Sequence, residues 1–453
     1  MHDSQDVPIA IDDGDSLCSA TASETTALLA PANSAGKASI AEAECFGLPN
    51  KAESVWLSML HEVRVIAMAS APVIGSYILQ MSFQTLSILI VSTTFPQHLS
   101  TAAFSYGFAT ATGWLVALGG STALDTLASS SFTGSTDKHA LGVLLQRALF
   151  VLTLLYVPVA ILWYFSSTVF IYLGQDLQLS RDSCLFLRWL IPGGLGYIYF
   201  ETTKKYLQAQ GITRAGPCVL LITAPISAIL NYLLVKTAGL GVLAAPVATG
   251  IGFWLSFIGL LLWIKLVEGS EAWAGWDRRS FHNLGTFVRL ALLGILHVGT
   301  EWWAFEIVTI IAGQLGEVDL AAQSAIMTLD AAIASLPLGI GIAASARVGN
   351  MLGLRNTKRA AMAAHAAAIL SMLVGALIGI LLLMFNEQIA RTFSPEAEII
   401  LLIRLVLPVI ALYQVADGLN ASCGGALRGM GCQHVGAAVN IVIYYCLALP
   451  GGA

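Results

Sequence analysis

RAAMAAHAAAILSMLVGALIGILLLM, residues 359–384, carries one charge, Arg359, at its edge and none in the positions that follow. A bilayer core about 30 Å thick needs roughly 20 consecutive apolar residues from an α-helix. This stretch meets that requirement with His365, Ser371 and two glycines as its only breaks, and no soluble core needs such a run. The same texture recurs from about residue 62 onward. Apolar runs lie near 65–93, 100–128, 140–168, 182–206, 214–236, 239–265, 283–313, 320–350, 359–384, 399–427 and 433–453. Composition agrees: of 453 residues, 57% are hydrophobic and 11% charged, with a mean hydropathy of +0.77. Soluble domains carry about 25% charged residues. The sequence predicts an all-α, multi-pass integral membrane protein.

The net charge of −5 is concentrated in the N-terminal tail. Residues 1–64 hold ten acidic and three basic residues, and the remainder is slightly basic. No nucleic-acid footprint follows. Residues 1–61 read as an acidic, disordered cytosolic tail rich in Ala, Ser, Asp and Thr. The tail lacks a basic start and an early apolar run, so it does not read as a cleaved signal peptide. Within it, Glu24, Leu28 and Leu29 match an acidic dileucine sorting signal, which a sorting adaptor would read and which would direct the chain to a vacuole or lysosome; chance is the alternative. The seven cysteines are scattered without a CxxC pair, so they read as free thiols, with neither a metal site nor a disulfide framework.

Placing the N-terminus in the cytosol puts Lys138, Lys204, Lys205, Arg214, Lys265, Arg278, Arg279, Arg355, Lys358, Arg359 and Arg428 in inside loops. Only Arg181, Lys236 and Arg391 then lie outside. This is the positive-inside asymmetry. Glycines repeat across the halves: Gly211 and Gly216 against Gly431 and Gly436, and Gly134 against Gly353. Two parallel halves of six helices explain the offset. They would comprise residues 62–266 and 283–453. On that reading a twelfth span is expected, and the sequence ends in or just past the eleventh.

Charges inside apolar spans cost about 2.5–3.5 kcal/mol each at a helix centre on insertion scales, so they face a cavity or a partner. Glu301, in LHVGTEWWAFE (296–306), is the sharpest case. His297 lies four residues earlier on the same face, and Glu306 five residues later points elsewhere. A carboxylate in a low-dielectric site is costly to keep ionised. Proton and cation therefore compete for it, and that competition is the minimal chemistry of an antiporter. The alternative is a buried pair with His297, or with an arginine from elsewhere in the chain, that only fixes helix packing. Asp417 is the second candidate, Asp330 a third, and Asn231 a polar residue that would line a cavity in the first half. Each has interhelical hydrogen bonding as its alternative. Pro72 in the first span is a hinge or a static bend. Asp125 reads as a cap or loop anchor, and Arg147, Arg188, Arg289, Arg347 and Arg404 as snorkelling or pairing residues. Asn420-Ala-Ser422 matches a glycosylation triplet but sits in a span. No GxxxxGK[ST], HExxH or GxSxG motif occurs, so neither an ATPase nor an enzyme is indicated.

Together these residues resemble the multidrug and toxic compound extrusion (MATE) family in its eukaryotic branch. The matching segments are Ala123-Leu-Asp-Thr-Leu127, Leu145-Gln-Arg-Ala148, Tyr206-Leu-Gln-Ala-Gln210, Asn231-Tyr-Leu-Leu-Val235, Glu301-Trp-Trp-Ala-Phe-Glu306, Ala343-Ala-Ser-Ala-Arg-Val-Gly-Asn350, Gly425-Ala-Leu-Arg-Gly429 and Val439-Asn-Ile-Val-Ile-Tyr-Tyr445. The resemblance implies two pseudo-symmetric six-helix lobes around a cleft, with the last helix missing here. It also implies exchange of protons, rather than sodium, for cationic or amphipathic organic compounds at a vacuolar, lysosomal or plasma membrane. It marks Glu301, Glu306 and Asp417 as the family's acids and Pro72 as its first-helix proline. Thr328 stands where some animal members carry a further Glu, and the first span lacks the Asp of many prokaryotic members. No cofactor and no enzymatic activity are implied, and a monomer is expected. A lipid or lipid-linked oligosaccharide flippase of related fold is the alternative, and it would call for a large basic cavity.

Overall fold

The computed structural model describes residues 55–237 and 241–452, and among them the chain is helical throughout, with no strand. In order, the helices are α1 (Val55–Thr94), α2 (Leu99–Ala109) and α3 (Leu115–Gly134), the last two joined by a π turn over Thr110–Trp114. Next come α4 (Ala140–Tyr164), α5 (Ser166–Tyr172), α6 (Leu177–Ala209), α7 (Ala215–Tyr232) and α8 (Ala244–Leu266). The second half holds α9 (Leu284–Leu315), α10 (Glu317–Ile333), α11 (Ser335–Gly353), α12 (Thr357–Met384), α13 (Asn386–Phe393), α14 (Ala397–Met430), α15 (Gln433–Asn440) and α16 (Leu449–Gly452). A π run, Ile441–Ala448, links the final two. Helix is the conformation that satisfies every backbone group without water. The dileucine residues Glu24, Leu28 and Leu29 lie outside the described residues. α1 begins at Val55, so residues 55–61, assigned to the tail by composition, are helical. The apolar residues Trp56, Leu57, Met59 and Leu60 extend the pattern of the first span backward.

Nine continuous helical stretches among the described residues are long and apolar enough to cross a membrane. Two of the eleven predicted spans are not in that set: α2–α3 and α6. These are the helices the fold places inside. Residues 200–209 of α6 form an unbroken buried run, as do 119–129 of α3. The outward surface is apolar. Along α14, Leu401, Leu405, Val409 and Leu412 are 69%, 74%, 65% and 75% exposed. Such a stripe is unfavourable in water and unremarkable against lipid.

Three residues counted as loop cations are not in loops. Lys204 and Lys205 are buried in α6, and Arg428 is buried in α14. Lys204 Nζ lies 2.6 Å from Glu201 Oε1 and Lys205 Nζ 2.7 Å from Asp125 Oδ1. Asp125 is therefore a mid-helix ion-pair partner and not an end cap. Without these three, eight basic residues in loops or at helix ends still mark one end of the bundle, against three at the other. That end, where α3, α6, α8, α11 and α14 finish, is called the basic end below.

The internal repeat has a structural counterpart. Gly211 and Gly431 follow α6 and α14 with φ of 81° and 78°, the left-handed conformation that glycine adopts without a Cβ penalty. Gly134 and Gly353, the last residues of α3 and α11, meet one another; a Cβ on Gly134 would lie 3.0 Å from the Gly353 carbonyl oxygen. Repeat-related positions thus touch where the two halves join. Most inter-half hydrogen bonds also gather towards the basic end. Thr126 Oγ1 donates to the Arg428 carbonyl, Gln433 Nε2 to the Thr122 carbonyl at 3.1 Å, and Thr133 Oγ1 to the Asn350 carbonyl at 2.8 Å. Arg347 in α11 grips Glu62 in α1 through two bonds of 2.8 Å. Nearer the middle, Trp303 Nε1 donates to Ala111 O at 3.1 Å.

Arg147 and Arg188 also make structural contacts. Arg147 donates to the carbonyls of Ser280 and Arg279 at 3.3 and 3.2 Å, tying the loop between the halves to the foot of α4. Arg188 stacks on Tyr164 with its guanidinium 4.2 Å from the ring centre. Between α3 and α4, hydrogen bonding to Arg279 of the inter-half loop holds the Asp137 carboxyl below its ordinary range.

Candidate functional site

Glu301 sits midway along α9, half-buried, with Asn420 Nδ2 of α14 3.3 Å from its Oε1. Tyr444 Oη, from the π run, lies 3.5 Å from the same oxygen. The wider π winding places consecutive tyrosines against one helix: Tyr445 Oη donates to the Thr300 carbonyl at 3.0 Å. Asn440 Nδ2, one turn earlier, donates to the His297 carbonyl at 3.0 Å. The segment after α15 is thus pinned to α9 by three side chains around Glu301.

Asp417 and Asp330 extend the acidic surface. Asp417 lies on α14, one turn before Ala421 and three residues before Asn420, within electrostatic reach of both Glu301 and Asp330. Asp330, from α10, accepts from Gln414 Nε2 at 2.9 Å. Both aspartates are half-buried. Among the described residues, no Lys, Arg or His lies within ion-pair distance of Glu301, Asp417, Asp330 or Glu306. Three acids without a fixed counter-ion therefore converge from α9, α10 and α14. Aromatic rings flank them: Phe305 packs edge-on against Tyr413 at 6.1 Å and Tyr444 at 6.2 Å. Carboxylates beside aromatic faces make a surface suited to an organic cation.

Not every candidate joins this group. Glu306 is exposed on α9, away from Asn420 and Tyr444. His297 is buried but does not pair with Glu301. Its ring fills a slot left by two glycines, where a Cβ on Gly424 or Gly436 would fall 3.2 Å or 2.5 Å from the imidazole carbon Cε1. Its Nδ1 has no hydrogen-bond partner among the described residues. Asn231 is buried in α7, which packs on α1 and α8 rather than on the acid-bearing helices. Pro72 lies inside an uninterrupted α1, its carbonyl accepting from Ser76 Oγ at 3.0 Å. Asn420 bonds to Glu301 from within a candidate membrane-crossing helix, so the glycosylation triplet stays discounted.

A second polar centre, which sequence reasoning missed, occupies the first half. Tyr77 Oη donates to Glu201 Oε2 at 3.2 Å, Lys204 Nζ donates to Gln80 Oε1 at 3.0 Å, and that ammonium lies 3.8 Å from the Tyr77 ring centre. The signal was Glu201 three residues before Lys204 within Glu-Thr-Thr-Lys-Lys, 201–205, inside a predicted span, the spacing of neighbours on one helix face.

The profile of the MatE family matches residues 72–233 and 295–453, most of the chain. The chain belongs to the MatE family. MatE relatives are found in fungi, animals and plants. An uncharacterized transporter of Schizosaccharomyces pombe is 33% identical over 86% of this chain and 72% of its own length. Multidrug and toxin extrusion protein 1 of Xenopus tropicalis is 35% identical over 81% of this chain and 64% of its own. Protein DETOXIFICATION 16 of Arabidopsis thaliana is 29% identical over 87% and 82%. The crystal structure of the eukaryotic MATE transporter AtDTX14 superposes with a TM-score of 0.82 at 27% identity, over 87% of this chain and 88% of that one. This MatE chain is thus a multi-pass membrane transporter of two pseudo-symmetric helical lobes, and not an enzyme.

Proposed function

We infer that this chain is a secondary antiporter that moves cationic or amphipathic organic compounds by alternating access in exchange for protons. The observation that carries this reading is Glu301: half-buried, held by the neutral donors Asn420 and Tyr444, and bonded to no basic side chain among the described residues. A carboxylate in that setting takes up either a proton or a cation. Asp417 and Asp330 extend the site, Phe305, Tyr413 and Tyr444 supply the aromatic faces, and Pro72 is the proposed hinge in α1. In this reading the basic end faces the cytosol, together with the N-terminus. The names of the extrusion and detoxification relatives support the substrate class. The flippase alternative calls for a large basic cavity, whereas the acids Glu301, Asp417 and Asp330 line this site and Lys204 and Lys205 are each bonded to a carboxylate.

Proteoliposomes with an imposed pH gradient and a fluorescent organic cation test the proposal. Exchange is expected with the proton gradient and not with an equal sodium gradient; equal driving by sodium alone would overturn proton coupling. Asp417→Asn is expected to lower the exchange rate by about tenfold, a moderate coupling loss. An unchanged rate would remove Asp417 from the site.

A further inference from the structure

Arg428, a buried cation of α14, reaches across the junction between the two halves. Its Nε lies 3.7 Å from Asp125 Oδ2, across the junction from α14 to α3. That Nε makes no hydrogen bond among the described residues. Asp125 is already committed: both its oxygens accept from Lys205 Nζ, at 2.7 and 2.8 Å. On the next residue, Thr126 Oγ1 donates to the Arg428 carbonyl. Just beyond, Gln433 reaches across to Thr122. The Arg428–Asp125 contact therefore lies within the set of bonds that closes the basic end.

The buried charges there do not balance. Asp125 and Glu201 are acidic; Lys204, Lys205 and Arg428 are basic, and all five are buried. A desolvated cation in excess is unfavourable unless a further anion lies within reach. Arg428 Nη1 and the His297 ring border the same small gap at Gly424, 3.5 and 3.2 Å from its Cβ position, with Glu301 one turn further along α9; the groups within electrostatic reach of Arg428 are Asp125 from α3, Tyr77 from α1, and His297 and Glu301 from α9. Of these, Glu301 is the only acid not already paired with a cation. Its own neighbours are Asp417, Asn420 and Tyr444.

We propose that Arg428 couples the loading of Glu301 to the closure of the basic end. With Glu301 ionised and empty, its charge balances Arg428, and the cross-lobe contact with Asp125 holds that end shut. When a proton or an organic cation neutralises Glu301, the excess positive charge weakens the contact and the halves separate there. An empty carrier is thereby held and a loaded one released, as strict exchange requires. The inference rests on the antiport reading of Glu301 and adds a positioning residue for the switch.

The test uses the full chain with its seven native cysteines replaced and spin labels on Thr136→Cys and Lys358→Cys, both exposed at the basic end. Pulsed electron–electron distances are read across a pH series without cargo. The unmodified lock is expected to give a short distance at high pH and a growing long population on acidification. Glu301→Gln is expected to raise the long population at high pH by about tenfold, within the usual range of coupling between two sites. Asp125→Asn should give the long distance at every pH. Arg428→Gln should make the distribution insensitive to the Glu301 substitution, and Arg428→Lys should restore part of the sensitivity. A Glu301→Gln protein that fails to exchange but keeps the short distance at all pH overturns the lock and leaves the antiport reading standing. Normal exchange by Glu301→Gln overturns the antiport reading itself. Far-ultraviolet circular dichroism and monodispersity in detergent identify any variant that has simply misfolded, and for such a position the conservative variants Asp125→Glu and Arg428→Lys decide.

Discussion

In proteoliposomes, Glu301→Gln lowers proton-driven exchange of an organic cation by about a hundredfold, the upper part of the range for coupling between two bound species. Glutamine has nearly the size of glutamate and retains an oxygen that accepts from Asn420 and Tyr444, which lie 3.3 and 3.5 Å from Glu301 Oε1. Helix packing around α9 is therefore preserved, and the thermal midpoint should move little. What is lost is the group that holds a proton and the charge that attracts a cation. Because the nearby acids Asp417 and Asp330 remain, cargo binding without a pH gradient falls less than exchange does. The measurement is paired: equilibrium binding of the fluorescent cation, and its exchange under an imposed gradient. Exchange that survives in Glu301→Gln would remove the central element of the proposed mechanism.

Glu301 was legible in the sequence because the chemistry of a bilayer makes an isolated carboxylate conspicuous. Its surroundings were not. Asn420 and Tyr444 are polar residues of ordinary kind in apolar stretches, and only the pinning of the last segment to α9 brings them to one oxygen. Nine of the eleven expected spans reappear among the described residues as long apolar helices, because apolar runs of bilayer length have few alternative readings. The charge inventory fared worse. Lys204, Lys205 and Arg428 lie near predicted helix ends, where hydropathy alone treats a cation as a loop residue. Their burial depends on partners that are remote in sequence, Asp125 for Lys205 and Arg428, and on a helix, α6, whose polarity reflects its inside position. Likewise, the spacing of His297 and Glu301 on one helix face suggested a pair, yet the glycines at 424 and 436 draw the ring away.

Gly294→Ala is expected to open the basic end and abolish strict exchange while leaving the helices intact. A Cβ on Gly294 would strike Thr122 Oγ1 and the Gly119 carbonyl oxygen, and a Cβ on Gly119 would lie 2.6 Å from Ile295 Cα. Here α3 and α9 touch backbone to backbone, so a rotamer change cannot make room. Overpacking a filled core costs about 1–3 kcal/mol, and the rigid neighbours favour the upper end of that range. This contact joins the two halves and does not hold either half together. The strain is relieved by separating them, so it appears as a shift of roughly tenfold to a hundredfold toward the open form. Gly313→Ala on the same helix is the control, because a Cβ there meets nothing nearer than 3.7 Å. Distances between labels on Thr136→Cys and Lys358→Cys should lengthen in Gly294→Ala and stay unchanged in Gly313→Ala. If both variants kept the short distance and normal exchange, close approach of α3 and α9 would not be what seals this end.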